Sequence, residues 1–303
     1  MSIPAISVLM PVYNAEKYIQ AAVESILKQT FTNFEFIIIN DGSTDGTLKI
    51  LENYALQDNR IRLISRENKG LVSTLNEGIA LVKSPLVARM DADDIAHLNR
   101  LAVQMKFMDS HPEVVCVGSK VGVIDGHGRY LIDTVPKLMH DEIVQSALQG
   151  VSPITHPTAM IRSKELGKVG GYKEANYPAE DLALWLDLSE VGKLANLDES
   201  LIDYRIHDDS ISTSSHERQL AKTMEICQRA CQKRSIAFDM KTQVGRPGES
   251  KGSNFDIVLR HGWWAHSSKQ WQTSAIYALK AIGVMPFRDG GWRLLFCSFF
   301  RRK

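Results

Sequence analysis

Residues 86–94 read Leu-Val-Ala-Arg-Met-Asp-Ala-Asp-Asp, a short apolar run that ends in three carboxylates. If Leu86 to Met90 is a strand, its two-residue period sets Asp91 and Asp93 on one face, close enough to share one hard divalent cation. Mg²⁺ or Mn²⁺ held by one or two carboxylates keeps coordination sites open for phosphate oxygens, so the pair suits a bound nucleotide diphosphate. The competing reading is a polar turn in which Asp93 or Asp94 caps a helix that starts near Ile95.

The elements that must position these carboxylates are written in the first 120 residues. Ile6 to Met10 and Phe34 to Ile39 are continuous apolar runs, the composition of strands buried on both faces. Between them Ile19, Ala22, Val23, Ile26 and Leu27 keep helical spacing, with Asn14 as the expected cap. A second helix carries Leu48, Leu51 and Ala55, Ile61 to Ile64 is strand-like, and Leu71, Leu75, Ile79 and Val82 mark a third helix. This alternation predicts an α/β fold, a mostly parallel sheet flanked by helices, in which ligands bind beyond the carboxyl ends of the strands. Three such ends carry polar or ligand-type residues: Pro11 to Asn14, Asn40 to Ser43, and Asp91 to Asp94. In a shared crevice Asp41 can accept from a base N–H or a ribose hydroxyl, or else form the turn of Asp-Gly-Ser-Thr. Tyr13 can stack on a base or be a half-buried aromatic. There is no GxGxxG after the first strand and no GxxxxGK[ST], which argues against dinucleotide oxidoreductases and P-loop NTPases.

Composition excludes other classes. The 303 residues carry a formal charge of +1, so no general attraction to nucleic acid is expected. The N-terminus lacks the basic and apolar regions of a signal peptide, and no run reaches the roughly 18 apolar residues of a membrane span, so the reading is a cytoplasmic protein. Cys116, Cys227, Cys231 and Cys297 fit no zinc spacing and read as reduced side chains.

Several short motifs together resemble the family 2 glycosyltransferases. They are Pro-Val-Tyr-Asn-Ala-Glu at 11–16, Ile-Ile-Asn-Asp-Gly-Ser-Thr-Asp-Gly-Thr at 38–47, Glu-Asn-Lys-Gly-Leu at 67–71 and Met-Asp-Ala-Asp-Asp at 90–94. The match continues through His156-Pro157, Gly170-Gly171-Tyr172, Glu180-Asp181 and Tyr204-Arg205-Ile206-His207, and so covers roughly 4–212. The resemblance implies an A-type glycosyltransferase fold, with a catalytic domain over 1–212. Within it, 1–120 would be the nucleotide-sugar half and 121–212 the acceptor half completing the same sheet. It implies that Pro11, Tyr13 and Asp41 cradle the base, that Lys69 contacts phosphate or ribose, and that Asp91 reaches the ribose or metal while Asp93 binds Mn²⁺ or Mg²⁺. UDP is the nucleotide most frequent in the family.

The candidate base lies in the acceptor half. Glu180 and Asp181 precede Leu182, Leu184, Trp185 and Leu188, read as an amphipathic helix whose N-terminal end presents both carboxylates. There the helix dipole favours the ionised form, which suits a group that takes a proton from a sugar hydroxyl. The resemblance makes Asp181 the base, with inversion at the anomeric carbon, and gives Glu180 a substrate contact; the residues alone also allow the reverse. His156 and Trp185 are assigned to the acceptor pocket, and His207, after a strand-like Leu201 to Ile206, is a candidate further metal ligand.

Residues 213–303 read as a helical extension with a polar, Gly-rich flexible loop at 241–254. Ser214 to Ser235 is expected to be a helix packed on the catalytic domain, and a second helical segment runs from Phe255 through Ile282. The end, from Gly291 to Lys303, mixes bulky apolar residues with Arg301-Arg302-Lys303. It is expected either to lie in a membrane interface or to dock on protein. The resemblance implies transfer of one sugar to a glycan or lipid-linked acceptor rather than polymer synthesis, since the Gln-x-x-Arg-Trp motif and transmembrane helices of the family's processive members are not found in this sequence. A sugar-nucleotide nucleotidyltransferase and a non-catalytic glycan-binding module are the alternatives.

Overall fold

The computed structural model describes residues 3–207, 216–238 and 253–300. Asp208, Asp209, Arg301 to Lys303 and nearly all of the 241–254 loop lie outside the described residues.

β1 (Ile6–Val12) is buried along its whole length and β2 (Phe34–Asp41) nearly so. A strand covered on both faces must be apolar at successive positions, which is why Phe36-Ile37-Ile38-Ile39 is unbroken. β1 pairs in parallel with β2 and with β4 (Leu86–Arg89), and β2 with β3 (Ile61–Arg66). The crossovers are α1 (Ile19–Leu27), α2 (Thr47–Gln57) and α3 (Leu71–Leu81). On α1, Ile19, Ala22, Val23 and Ile26 form the buried stripe, the spacing the sequence predicts. Asn14 does not cap α1, whose cap position is Tyr18: it takes a left-handed φ of 47° before the helix, and its side chain serves another loop.

Past β4 the sheet changes direction. Its order is β3-β2-β1-β4-β8-β6-β9-β5, where β5 is Ile95–Ala96, β6 is Val114–Asp125, β8 is Met160–Arg162 and β9 is Lys193–Ile206; β7 (Tyr130–Asp133) pairs with β6. β8 runs antiparallel to both β4 and β6. No helix starts at Ile95. The backbone of Ile95 and Ala96 pairs with Asp203 and Ile202, and α4 (Arg100–Ser110) begins only after this bridge. α5 (His140–Leu148) and α6 (Ser163–Lys168) flank the later strands.

α7 (Glu180–Leu188) differs from the amphipathic helix expected. Leu184, Trp185 and Leu188 enter the core that contains Leu9, Ile37, Val87 and Ile161. Leu182, Ala183 and Leu186 pack against Ala147 and against Ile226, Cys227 and Ala230 of α8 (His216–Lys233). A helix that is apolar on nearly every side is one covered on nearly every side, and α8 supplies the second cover.

By internal packing the chain forms two compact units: Met1–Val121 with Val135–Asp203 and Glu217–Gln243, and Gly122–Thr134 with Tyr204–His216 and Val244–Lys303. The second unit contains β7 and three helices, α9 (Asn254–Ser267), α10 (Trp271–Val284) and α11 (Asp289–Phe299). The single helical segment expected from Phe255 is two helices, broken where Lys269 adopts a φ of 61°. α9 starts with a reciprocal cap in which Ser253 and Asp256 satisfy each other's backbone N–H. Small residues let these helices approach closely: a Cβ at Gly262 would lie 2.3 Å from Leu294 and 3.0 Å from Tyr277. Asp125 ties this unit together, accepting from Arg129 Nε at 2.7 Å and from Tyr277 Oη at 2.9 Å.

Candidate active site

Strand register brings three polar ends side by side in the first unit. Val12 lies opposite Asn40 across β1 and β2, Leu9 lies opposite Arg89 across β1 and β4, and Met90 N donates to Leu9 O at 3.0 Å. The residues that follow each strand therefore emerge at one rim.

At the β4 end, one carboxylate oxygen from each of Asp91, Asp93 and Asp94 falls within 4.8 Å of the others. Asp91 forms an ion pair with Arg89, a side chain that is itself buried. Burial pushes the Asp91 carboxyl up, and Asp93's charge adds to the push against the pull of Arg89. Burial also works against the Arg89 charge, but Asp91 more than restores it. Beneath them Arg100, wholly buried, donates from Nη2 to Arg89 O at 2.7 Å and from Nε to Gln104 at 3.0 Å. Burial and then repulsion from Arg89 bring it down to about 9, so it stays cationic at neutral pH. Three crowded hard oxygens, one of them from a carboxylate paired with Arg89, form a donor set that fits Mg²⁺ or Mn²⁺, whose charge would relieve the crowding.

The β1 and β2 ends are stitched to each other. Asn14 Oδ1 accepts from Thr44 N at 2.8 Å, Asn14 N donates to Ser43 Oγ at 2.9 Å, and Gly46 N donates to Glu16 at 2.9 Å. Pro11 is buried in β1, whereas Tyr13 just beyond it is about half exposed, with its ring available for stacking. Asp41 is a hub. Its two oxygens accept from Lys69 N at 2.8 Å, from Gly70 N at 3.0 Å and from Arg66. Arg66 in turn donates to Glu77 at 2.8 Å and to Thr74 at 2.8 Å. Asp41 thus shapes the 66–70 loop, and a carboxylate's remaining acceptor capacity is what it can offer a ligand. The Lys69 side chain projects from that loop into solvent.

The N-terminal end of α7 faces this rim electrostatically. Glu180 is buried, and burial followed by Asp181's charge pushes it up to about 7; Asp91 contributes in the same sense and Arg89 opposes. Its Oε2 finds no hydrogen-bond partner among the described residues. Asp181 is half-buried and accepts from Ser152 Oγ at 2.9 Å. His156 Nε2 meets Tyr172 Oη at 2.6 Å, and burial, then Arg89, hold the imidazole well below its ordinary value. Trp185 is wholly buried and sets its ring against the His156 ring at 5.9 Å, so it supports the pocket from beneath and offers no face to solvent. Tyr172 is fixed by an amide clamp in which Asn76 binds its backbone O at 2.8 Å and its N at 2.9 Å. His207 follows β9 in the second unit, so the carboxylate cluster is built by the first unit alone.

Arg89, Arg66, Ser152 and Tyr172 are absent from the sequence-derived set. Arg89 had a readable signal, since an Arg inside an otherwise apolar buried strand must be paired. Ser152 had none, because its partnership with Asp181 is made only by the fold.

A parallel sheet with this rim, extended by antiparallel strands, is the A-type glycosyltransferase fold, and solved structures share it. Staphylococcus aureus TarS 1–349 in complex with UDP has a TM-score of 0.55 at 19% identity, with 98% of this chain and 93% of that one covered. The mannosyltransferase PcManGT of Pyrobaculum calidifontis, in complex with GDP-Man and Mn²⁺, has a TM-score of 0.58 at 15% identity, with 99% and 82% covered. The model of glycosyl transferase family 2 matches residues 7–170, and the chain belongs to that family. It is a glycosyltransferase. An uncharacterized glycosyltransferase of Haemophilus influenzae is 34% identical over 71% of this chain and 70% of its own length. The putative glycosyltransferase EpsE of Bacillus subtilis is 30% identical over 80% and 88%, and the O-antigen biosynthesis glycosyltransferase WbnJ of Escherichia coli 33% over 69% and 83%.

Proposed function

We propose that this enzyme moves one sugar from a nucleotide diphosphate sugar, UDP-linked in the first instance, to a hydroxyl of a glycan or lipid-linked acceptor, with inversion and with a divalent metal. The observation that carries the reading is the Asp91, Asp93 and Asp94 oxygen cluster at the β4 end, in electrostatic reach of the two carboxylates that open α7. A bound Mn²⁺ or Mg²⁺ supplies Lewis-acid stabilisation to the departing diphosphate. Pro11, Tyr13 and the free acceptor capacity of Asp41 receive the nucleoside, and Lys69 reaches its ribose or phosphates. Asp181, oriented by Ser152, takes the proton of the acceptor hydroxyl as that oxygen attacks the anomeric carbon from the face opposite the leaving group. Glu180 holds the sugar through its unpartnered oxygen, and His156, fixed by Tyr172, lines the acceptor side. The name of one relative, an O-antigen biosynthesis glycosyltransferase, supports a role in polysaccharide assembly.

The test is thermal stabilisation by UDP-, GDP- and dTDP-sugars with and without Mn²⁺, on wild type and Asp93→Asn. A metal-dependent shift for one nucleotide, lost in Asp93→Asn, is expected. No shift for any donor removes the reading. One observation favours a second assignment of the base: Glu180, pushed up to about 7, is better matched to proton transfer near neutrality. If Asp181→Asn keeps turnover and Glu180→Gln loses about 10²-fold or more, the two roles exchange.

A further inference from the structure

α11 presents two unlike faces. Gly291, Leu294 and Ser298 are buried toward α9 and α10. On the opposite face Trp292, Phe296, Phe299 and Phe300 are 54%, 60%, 70% and 65% exposed, at positions that fall within about a third of the helix circumference. Phe296 stacks on Phe300 with ring centroids 4.3 Å apart. Trp292 Nε1 donates to Pro286 O at 2.9 Å, which holds the preceding loop, with exposed Met285 and fully exposed Phe287, beside the stripe. So many exposed aromatic rings on one short face are uncommon on a monomer surface.

The charge around the stripe selects its partner. Within 279–300 the sequence has Lys280, Arg288 and Arg293 against Asp289 alone, and Arg301-Arg302-Lys303 follow in the sequence. Arg293 is exposed at the stripe's border, and Arg288 leaves its contact with Asp256 long, at 3.7 Å, and open to solvent. In a two-fold contact with a second copy a patch with this cationic excess would face the same excess, which opposes association. An anionic lipid surface offers the opposite sign, with a boundary layer where Trp and Phe rings are well accommodated. No described helix is long and apolar enough to cross a membrane, so the face can lie on a bilayer but not span it.

We propose that the exposed face of α11, with the 285–287 loop, is a docking surface for an anionic lipid bilayer. This role uses none of the transfer chemistry and stands or falls without it.

The full chain is sedimented with unilamellar vesicles of phosphatidylcholine alone and of phosphatidylcholine mixed with phosphatidylglycerol. Binding to the mixed vesicles, weakened by salt and poor on phosphatidylcholine alone, is expected. Phe296→Ser and Phe299→Ser each weaken it about tenfold, the effect of no longer burying one Phe ring. Arg293→Glu weakens binding to mixed vesicles only. Unchanged circular dichroism shows that these surface variants remain folded. No binding to mixed vesicles, or binding indifferent to the Phe variants, overturns the proposal. So does a vesicle-free dimer that Phe296→Ser with Phe299→Ser dissociates, which would give the face to a second copy.

Discussion

Glu180 is buried beside the charge of Asp181, and the combination makes it a pH-sensitive element of stability. Its folded value of about 7 lies above the ordinary 4.5, so the folded state favours the protonated form. That contribution is fully present below about pH 4.5 and is lost as pH rises through about 7, up to roughly 3 kcal/mol over the window. Thermal melts from about pH 5 to 8 should therefore show wild type losing stability with rising pH, and Glu180→Gln a flatter profile. Equal slopes would mean that Glu180 titrates normally. At this scale the sequence was informative wherever a residue's type is unusual for its element, as with carboxylates ending an apolar strand. It was silent about Arg66, whose side chain reaches Asp41 only because β3 lies beside β2.

The loops between elements are held by geometry that few residues can adopt. Gly42, directly after β2, has a φ of 71°, and a Cβ there would lie 2.6 Å from Asn68 N, in the loop that Asp41 organises. Gly42→Ala combines left-handed strain with a backbone clash and should cost about 2–4 kcal/mol by denaturant midpoint, with weaker donor binding. Gly167, near the end of α6, meets nothing within 4 Å, so Gly167→Ala should be neutral or stabilise by up to about 1 kcal/mol. Opposite signs for two Gly→Ala changes are the outcome to check. Helix positions were legible because a buried stripe imposes a period, as on α1. The burial of α7 on nearly every side was not, since its second cover, α8, arrives some 30 residues later in the sequence. Nor was β5, whose two residues are a strand only because β9 pairs with them.

Over the whole molecule, the half that could be read in advance is the half in which strands alternate regularly with helices. β1 to β4 alternate with their helices, and the local period marks each element. The later strands lack that alternation: β8 lies antiparallel to β4 and the two-residue β5 pairs with β9, and no local pattern announces such partners. This pairing has a consequence for the chain while it is being made. When β4 leaves the ribosome its partner β8 has not been synthesised, and at roughly 5–20 residues per second the open edge waits for seconds. The edge of β4 therefore stays uncovered while the chain up to β8 is made, and the β5 pairing can form only when synthesis has passed Asp203, the last β9 residue paired with β5.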